Sequence, residues 1–216
     1  MPADLALLVS PMNWKPACPE DLIGHARRVA RAQVSKARRL AAADPPTASM
    51  KLLLYGPPGV GKTSVVEMVA RELTGSPLAV ESFNGREVTV DLVREWMKNL
   101  AYGNLFSRWS VRIVNELDRC SREAQDLLLT YLDRLPPGRA LLGTSNLQID
   151  LLTERFQTRF QSVKLLPPST EELATFLANR WPVPRQTALQ IAVGSGGCVR
   201  AALADLESWL DCWQGG

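Results

Sequence analysis

A chain of 216 residues, 46% of them apolar, is long enough for one α/β domain, or for one such domain with a small appendage, and can fill a packed core. No uninterrupted apolar run approaches the roughly 20 residues of a membrane span, and a formal charge of +3 is too small to imply nucleic acid by itself. Four cysteines (Cys18, Cys120, Cys198, Cys212) stand far apart, with no C-x-x-C and a single histidine, His25. A zinc site is therefore not expected, whereas unpaired thiols in a reducing cytoplasm are.

Met1 to Ser10 lacks a basic start and its apolar run is broken by Asp4, so it does not read as a signal peptide. Pro11 to Pro19 is a proline-punctuated loop, and Glu20 to His25 leads into a long helical stretch ending near Ala43. Its Arg27, Arg28, Arg31, Lys36, Arg38 and Arg39 are spread around the helix, which suits a solvated surface better than a nucleic-acid patch. Asp44-Pro45-Pro46-Thr47 closes it, since proline cannot continue a helix. From Met50, short apolar runs alternate with helical stretches, the mark of a parallel sheet with helices on both faces. Strands are expected over 50–55, 77–83, 111–114, 139–146 and 162–166, with helices over 64–74, 90–100, 122–134 and 151–159. After Pro167-Pro168 the composition changes. Ser169-Thr170-Glu171-Glu172 has capping-box spacing, with Ser169 as N-cap and Glu172 as its partner. Helices are then expected over 171–180, 184–193 and 199–213, and no strand pattern returns. The chain thus divides into an α/β base over 1–167 and a small helical lid over 168–216.

The most informative stretch is Gly56-Pro57-Pro58-Gly59-Val60-Gly61-Lys62-Thr63, followed by Ser64 at the start of a helix. It fits the P-loop pattern G-x-x-x-x-G-K-[ST] in the strand-to-helix setting the pattern requires. Glycines let successive N–H groups face one anion, and the helix N-terminus favours negative charge there. Lys62, expected outside the core, can reach the β/γ-phosphates, and the Thr63 hydroxyl can ligate Mg²⁺. The competing reading, a Gly/Pro turn that happens to contain Lys-Thr, must explain a full-length match in the right setting.

A P-loop needs an acidic pair at the end of a neighbouring strand, to position the metal and to orient or deprotonate water. Here that place holds Asn115-Glu116. Glu116 can serve as general base, whereas Asn115 cannot supply the anionic charge behind the metal's water shell. Loss of such an outer-shell partner costs ~10–100-fold in affinity or activity. Asp118 lies beyond the strand end and is not expected to replace it. Asn146, ending the next strand, suits a contact to the attacking water or the γ-phosphate, though an Asn ending a strand in a turn is common.

These segments, with Gln157-Thr158-Arg159 and Gly197-Cys198-Val199-Arg200-Ala201-Ala202-Leu203, stand in the order found in AAA+ ATPases. Among these the chain most resembles the clamp-loader branch, the small subunits of replication factor C and the bacterial γ/τ subunits. The resemblance runs from Asp21-Leu22-Ile23-Gly24, similar to the segment bordering the adenine, to the last helix. It implies a P-loop NTPase fold, ATP and Mg²⁺ as cofactors, and an oligomer acting on DNA or a DNA-bound protein. By position it makes Lys62 and Thr63 the Walker A residues, Asn115 and Glu116 the Walker B pair, and Asn146 sensor 1. Arg159 falls at the arginine finger and Arg200 at sensor 2.

The chain departs from that family at Asn115, which stands for the usual Asp, and at Thr158-Arg159-Phe160, which stands for Ser-Arg-Cys. It also ends after the lid, where clamp-loader subunits continue into a collar, so assembly is expected to rest on the AAA+ modules or on a partner. An arginine supplied in trans is worth ~10³–10⁵ in rate, whereas a surface ion pair at Arg159 contributes only ~0–1 kcal/mol. Three functions remain open: an oligomeric ATPase of clamp-loader type, an ATP-gated assembly module with little turnover, and a small-molecule P-loop kinase.

Overall fold

In the computed structural model, which describes residues 10–146 and 154–214, Met50–Tyr55 forms strand β1 with Leu52, Leu53 and Leu54 fully buried. An apolar run of this kind suits a strand covered on both faces. Four further strands join it: β2 (Val80–Asn84), β3 (Ser110–Asn115), β4 (Arg139–Ser145) and β5 (Gln161–Lys164). The sheet is parallel, in the order β2-β3-β4-β1-β5. The register pairs Leu54 with Thr144 and Val114 with Gly143, so the carboxyl ends of β1, β3 and β4 finish together.

Helices occupy the connections: α1 (Gly24–Ala41) before β1, α2 (Lys62–Thr74), α3 (Val90–Lys98), α4 (Arg122–Asp133) and α5 (Glu154–Arg159). Then come α6 (Thr170–Arg180), α7 (Arg185–Gly194) and α8 (Val199–Gln214). Several boundaries differ from the sequence expectation for local reasons. Pro77–Ala79 forms a 3₁₀ turn capped by the Ser76 hydroxyl, so β2 starts only at Val80, because proline fixes φ and lacks an N–H for the ladder. α1 ends at Ala41 and α3 at Lys98. The last strand is 161–164 instead of 162–166, and the helix expected over 151–159 is seen from Glu154, its earlier residues lying outside those described.

Close contacts divide the chain into two units, one of Ala30–Gly56 with Lys62–Lys164 and one of Met1–Val29, Pro57–Gly61 and Leu165–Gly216. In the first, the core under β3 and β4 gathers Val93, Trp96, Val114, Leu117, Leu128, Tyr131, Leu132 and Phe156. In the second, Leu173, Leu177, Ala188, Ala202 and Leu206 of α6, α7 and α8 close on one another. Ser169 caps α6 by accepting the Glu172 N–H, and the Glu172 carboxylate answers on the Ser169 N–H. Trp14 meets Phe176 and Trp181 edge-on, and Arg180 lies over the Trp14 ring and pairs with Asp21.

Leu206 is fully buried, so Leu206→Ala is expected to lower unfolding free energy by about 2–5 kcal/mol. Loss of the Ser169 cap in Ser169→Ala should cost a smaller ~0.5–2 kcal/mol. Urea denaturation monitored by circular dichroism checks both, and equal losses would contradict this ranking.

Candidate functional site

The loop between β1 and α2 turns on glycines at positive φ: Gly56 (+143°), Gly59 (+74°) and Gly61 (+95°). Helix α2 begins at Lys62, two residues earlier than the sequence suggested. Lys62 is buried rather than outside the core, and its Nζ donates to the Gly56 carbonyl at 2.8 Å. The lysine thus spans the base of the loop, and its charge is held by the same backbone that turns around it. At the loop's tip, Pro58 is exposed and Val60 is buried. A Cβ on Gly59 would stand 2.3 Å from the Cys198 sulfur. The Gly59 carbonyl accepts the Val199 N–H at 3.1 Å, which ties the tip to the first turn of α8. Arg200, in that turn, is exposed.

Ile23 and Gly24 line an open cleft of about 490 Å³ together with Arg27, Glu172, Phe176 and Arg180. Gly24 has φ of +51°, and a Cβ there would meet the Glu172 carboxylate at 2.7 Å. Leu22, one residue before Ile23, is buried, and its Cδ2 would lie 3.3 Å from a Cβ on Gly61, so this segment runs beside the loop tip. Burial disfavours charge on Asp21, yet the Ala17 and Cys18 N–H groups and Arg180 outweigh it and hold the carboxyl below its usual range.

At the strand ends, the Thr63 hydroxyl, in the first turn of α2 next to the half-buried Ser64, donates to Asn115 Oδ1 at 3.2 Å. The buried Thr144 hydroxyl donates to the same oxygen at 3.3 Å and accepts the Glu116 N–H at 3.1 Å. Asn115 Nδ2 donates to Ser82 Oγ at 3.3 Å, so the side chain is held at both ends. Glu116 sits in the left-handed region at φ +54° and ψ +52°, which costs an L-residue about 1–2 kcal/mol. Gly85 permits this, because any Cβ there would fall 2.1 Å from the Glu116 carbonyl oxygen. Asn146 Nδ2 donates to Glu116 Oε1 at 3.3 Å, and the Asn146 N–H donates to Asp118 at 3.2 Å. Asp118 therefore orients Asn146 instead of standing in for the missing carboxylate.

Arg159, the last residue of α5, places Nε and Nη2 on the two oxygens of Asp133 at 2.8 and 3.0 Å. The hydrogen bond from Arg159 holds Asp133 below the usual carboxylate range. The arginine is thus engaged within its own chain. Arg119 Nε also stands 3.1 Å from Glu116 Oε2. Ser82, Gly85, Arg119 and Asp133 were not singled out from the sequence, and Thr144 only as part of the strand-end segment Thr144-Ser145-Asn146. The Glu116-Arg119 spacing of one tight turn was the available signal for Arg119; the Asp133 pairing had none.

The donors around Thr63 suit Mg²⁺, a hard cation that takes oxygen ligands. Thr63 and Asn115 offer two neutral oxygens and no charge. Among the described residues no helix is long and apolar enough to cross a membrane.

A model of the ATPase family associated with various cellular activities matches residues 52–168, just over half of the chain. A probable replication factor C subunit 5 of Dictyostelium discoideum is 31% identical over 129 residues, covering 56% of this chain and 37% of the relative. The replication factor C small subunit of Methanosarcina acetivorans is 35% identical, over 50% of this chain and 33% of its own. The replication-associated recombination protein A of Bacillus subtilis is 25% identical, over 90% of this chain and 46% of its own. The chain thus spans less than half the length of these curated relatives. A solved Thermotoga maritima RuvB structure superposes with a TM-score of 0.69 at 21% identity, covering 88% of this chain and 63% of that one, a likeness of fold alone. With the parallel sheet, the P-loop and the terminal helices, these matches identify a P-loop AAA+ fold similar to replication factor C subunits, and the chain belongs to the AAA family of ATPases.

Proposed function

We propose that this chain is an ATP-driven AAA+ module of clamp-loader type, which works in an oligomer to load or remodel a partner protein in DNA replication or maintenance. The observation that carries this reading is the convergence of Thr63, Asn115, Glu116 and Asn146 at the ends of β1, β3 and β4. Ligands of open α/β sheets bind at the carboxyl ends of the strands. ATP phosphates lie along the N–H groups of Gly59 to Thr63, Lys62 releases Gly56 to meet them, and Ile23 and Gly24 border the base. Thr63 and Asn115 would hold Mg²⁺, which when bound would supply positive charge to offset the phosphates. Asn146 orients the attacking water and Glu116 takes its proton. Arg200, one residue past the Val199 N–H that the Gly59 carbonyl accepts, is the residue proposed to sense the γ-phosphate.

A second reading, an ATP-gated assembly module with little turnover, is favoured by the uncharged Asn115 and by the two donors already on Glu116. Family membership leaves a small-molecule kinase without support. Arg159 completes a neighbouring subunit's site in this proposal, exchanging Asp133 for phosphate. Such exchange is plausible on magnitude, since an exposed pair contributes only ~0–1 kcal/mol against the ~10³–10⁵ in rate from a finger.

Calorimetry is expected to show ATP binding by the parent and its loss in Lys62→Ala; equal affinities would sink the P-loop assignment. Because Lys62 is buried, its variant must first be shown to retain helical signal. Asn115→Asp should raise turnover by about 10–100-fold, the cost of a missing outer-shell charge, and the Ser82 hydroxyl can rotate to donate to the new carboxylate. Unchanged phosphate release at every magnesium concentration would contradict that account.

Asp133→Asn separates the two roles of Arg159. The folded Asp133 carboxyl titrates below its unfolded value of ~3.9, so its contribution to stability is present above that value and fades as pH falls through the lowered one. The midpoints of parent and variant should therefore differ at neutral pH and converge as pH falls through the lowered value. If Arg159 also acts in trans, the variant should show higher turnover per subunit at a given protein concentration, and Arg159→Ala should show no rise with concentration. Turnover identical in all three would leave Arg159 a structural ion pair.

A further inference from the structure

Helix α8 starts at Val199, and its first internal bond runs from the Ala202 N–H to the Cys198 carbonyl at 3.0 Å. The N–H groups of a helix's first turn have no partner within the helix. Here the first of them, the Val199 N–H, finds one outside it, in the Gly59 carbonyl at 3.1 Å. The approach is close, since a Cβ on Gly59 would stand 3.5 Å from the Arg200 Cβ and 3.6 Å from the Arg200 nitrogen, besides striking the Cys198 sulfur. Gly59 and Gly61, at φ of +74° and +95°, flank Val60. Glycine tolerates either sign of φ, so the Gly59-Val60 peptide needs an outside contact to hold one orientation.

We propose that Val199 is a positioning residue: its backbone N–H turns the Gly59-Val60 peptide so that the Val60 N–H is presented to a nucleotide phosphate before any nucleotide arrives. The inference rests on the reading of Gly59 to Thr63 as the phosphate cradle. A trans peptide is planar, with its C=O and N–H pointing opposite ways. Holding the Gly59 carbonyl against α8 therefore directs the Val60 N–H to the other side of the loop, while the buried Val60 side chain anchors the next residue. Pre-setting a donor in this way spares the nucleotide the cost of ordering it. An anion on the Val60 N–H also polarises the peptide and makes the Gly59 carbonyl a better acceptor, since linked hydrogen bonds strengthen one another. Phosphate thus tightens the bond to α8, and by reciprocity α8 tightens the phosphate site. This link runs through one peptide unit and needs no side chain of α8, Arg200 included.

Val199→Pro tests this directly. It deletes the N–H, yet proline suits the first position of a helix, and the extended backbone of an N-cap suits the residue before a proline. Calorimetry with ADP, which is not hydrolysed, compares the full chain with Val199→Pro and with Val199→Ala, which keeps the N–H. Val199→Pro should bind ADP about 5-fold more weakly, the worth of one backbone hydrogen bond, with a helical signal like the parent's. Val199→Ala should stay near the parent. Hydrogen exchange of the Val199 amide, read by NMR in the unmutated chain, supplies a second measurement that does not depend on the proline variant folding. ADP should slow that exchange, and should slow it in Arg200→Ala too, because the link is made by backbone. Equal ADP affinity in parent and Val199→Pro, equal losses in Val199→Pro and Val199→Ala, or a Val199 amide unmoved by ADP would overturn the proposal. In each of those cases the parent still binds nucleotide, and only the role of Val199 is wrong. If the parent binds neither ADP nor ATP, the reading of Gly59 to Thr63 fails and takes this inference with it.

Discussion

One buried hydroxyl sets the geometry of the strand ends. Thr144 lies in β4, almost wholly removed from solvent, and accepts the Glu116 N–H while donating to Asn115 Oδ1. A hydroxyl can do both at once, and a buried polar group left unpaired would cost about 1–3 kcal/mol. Satisfying Thr144 therefore fixes the turn after β3. That turn puts Glu116 in the left-handed region, and Gly85 leaves the room for it. The direction of the candidate base thus depends on a side chain from the neighbouring strand and on a missing Cβ in a third segment.

The same hydroxyl explains how Asn115 fits where an acid is usual. Its Oδ1 receives two hydroxyl donors and its Nδ2 finds Ser82. A neutral amide is well satisfied in this arrangement, so the departure has no packing penalty and falls on electrostatics alone. In the proposed site a cation beside Thr63 would owe its charge balance to the nucleotide. Metal affinity and nucleotide affinity are coupled more strongly in such a site than where the protein supplies a carboxylate.

The sheet was legible because its signals are local. Leu52 to Leu54 form a buried run bounded by turn residues, and Ser169 to Glu172 carries its capping partner three residues away. The P-loop was legible for the same reason, since glycine spacing, Lys62 and Thr63 all lie within one turn. Boundaries were less so. Pro77 shifted β2 through its missing N–H, and Lys62 was drawn into the helix and buried because its amine found the Gly56 carbonyl. The partners of Arg159 and Glu116 were not legible together. Asp133 is 26 residues from Arg159 and meets it only through the packing of α4 against α5. Arg119 is close in sequence to Glu116, but its pairing required the turn to be 3₁₀ and Glu116 to be left-handed.

The two charged groups proposed to act on phosphate, one as base and one as finger, are each held by an opposite charge of the same chain. Both pairs are partly exposed, and exposed pairs are individually weak. In the proposed assembly a nucleotide would bring several negative charges close to a neighbour's Arg159. Phosphate would then compete with Asp133 for that guanidinium, since Arg pairs with phosphate and with carboxylate in the same charge-assisted, bidentate way. In the proposed assembly a nucleotide on a correctly placed neighbour would release Arg159 from Asp133, so activity would follow assembly and nucleotide together.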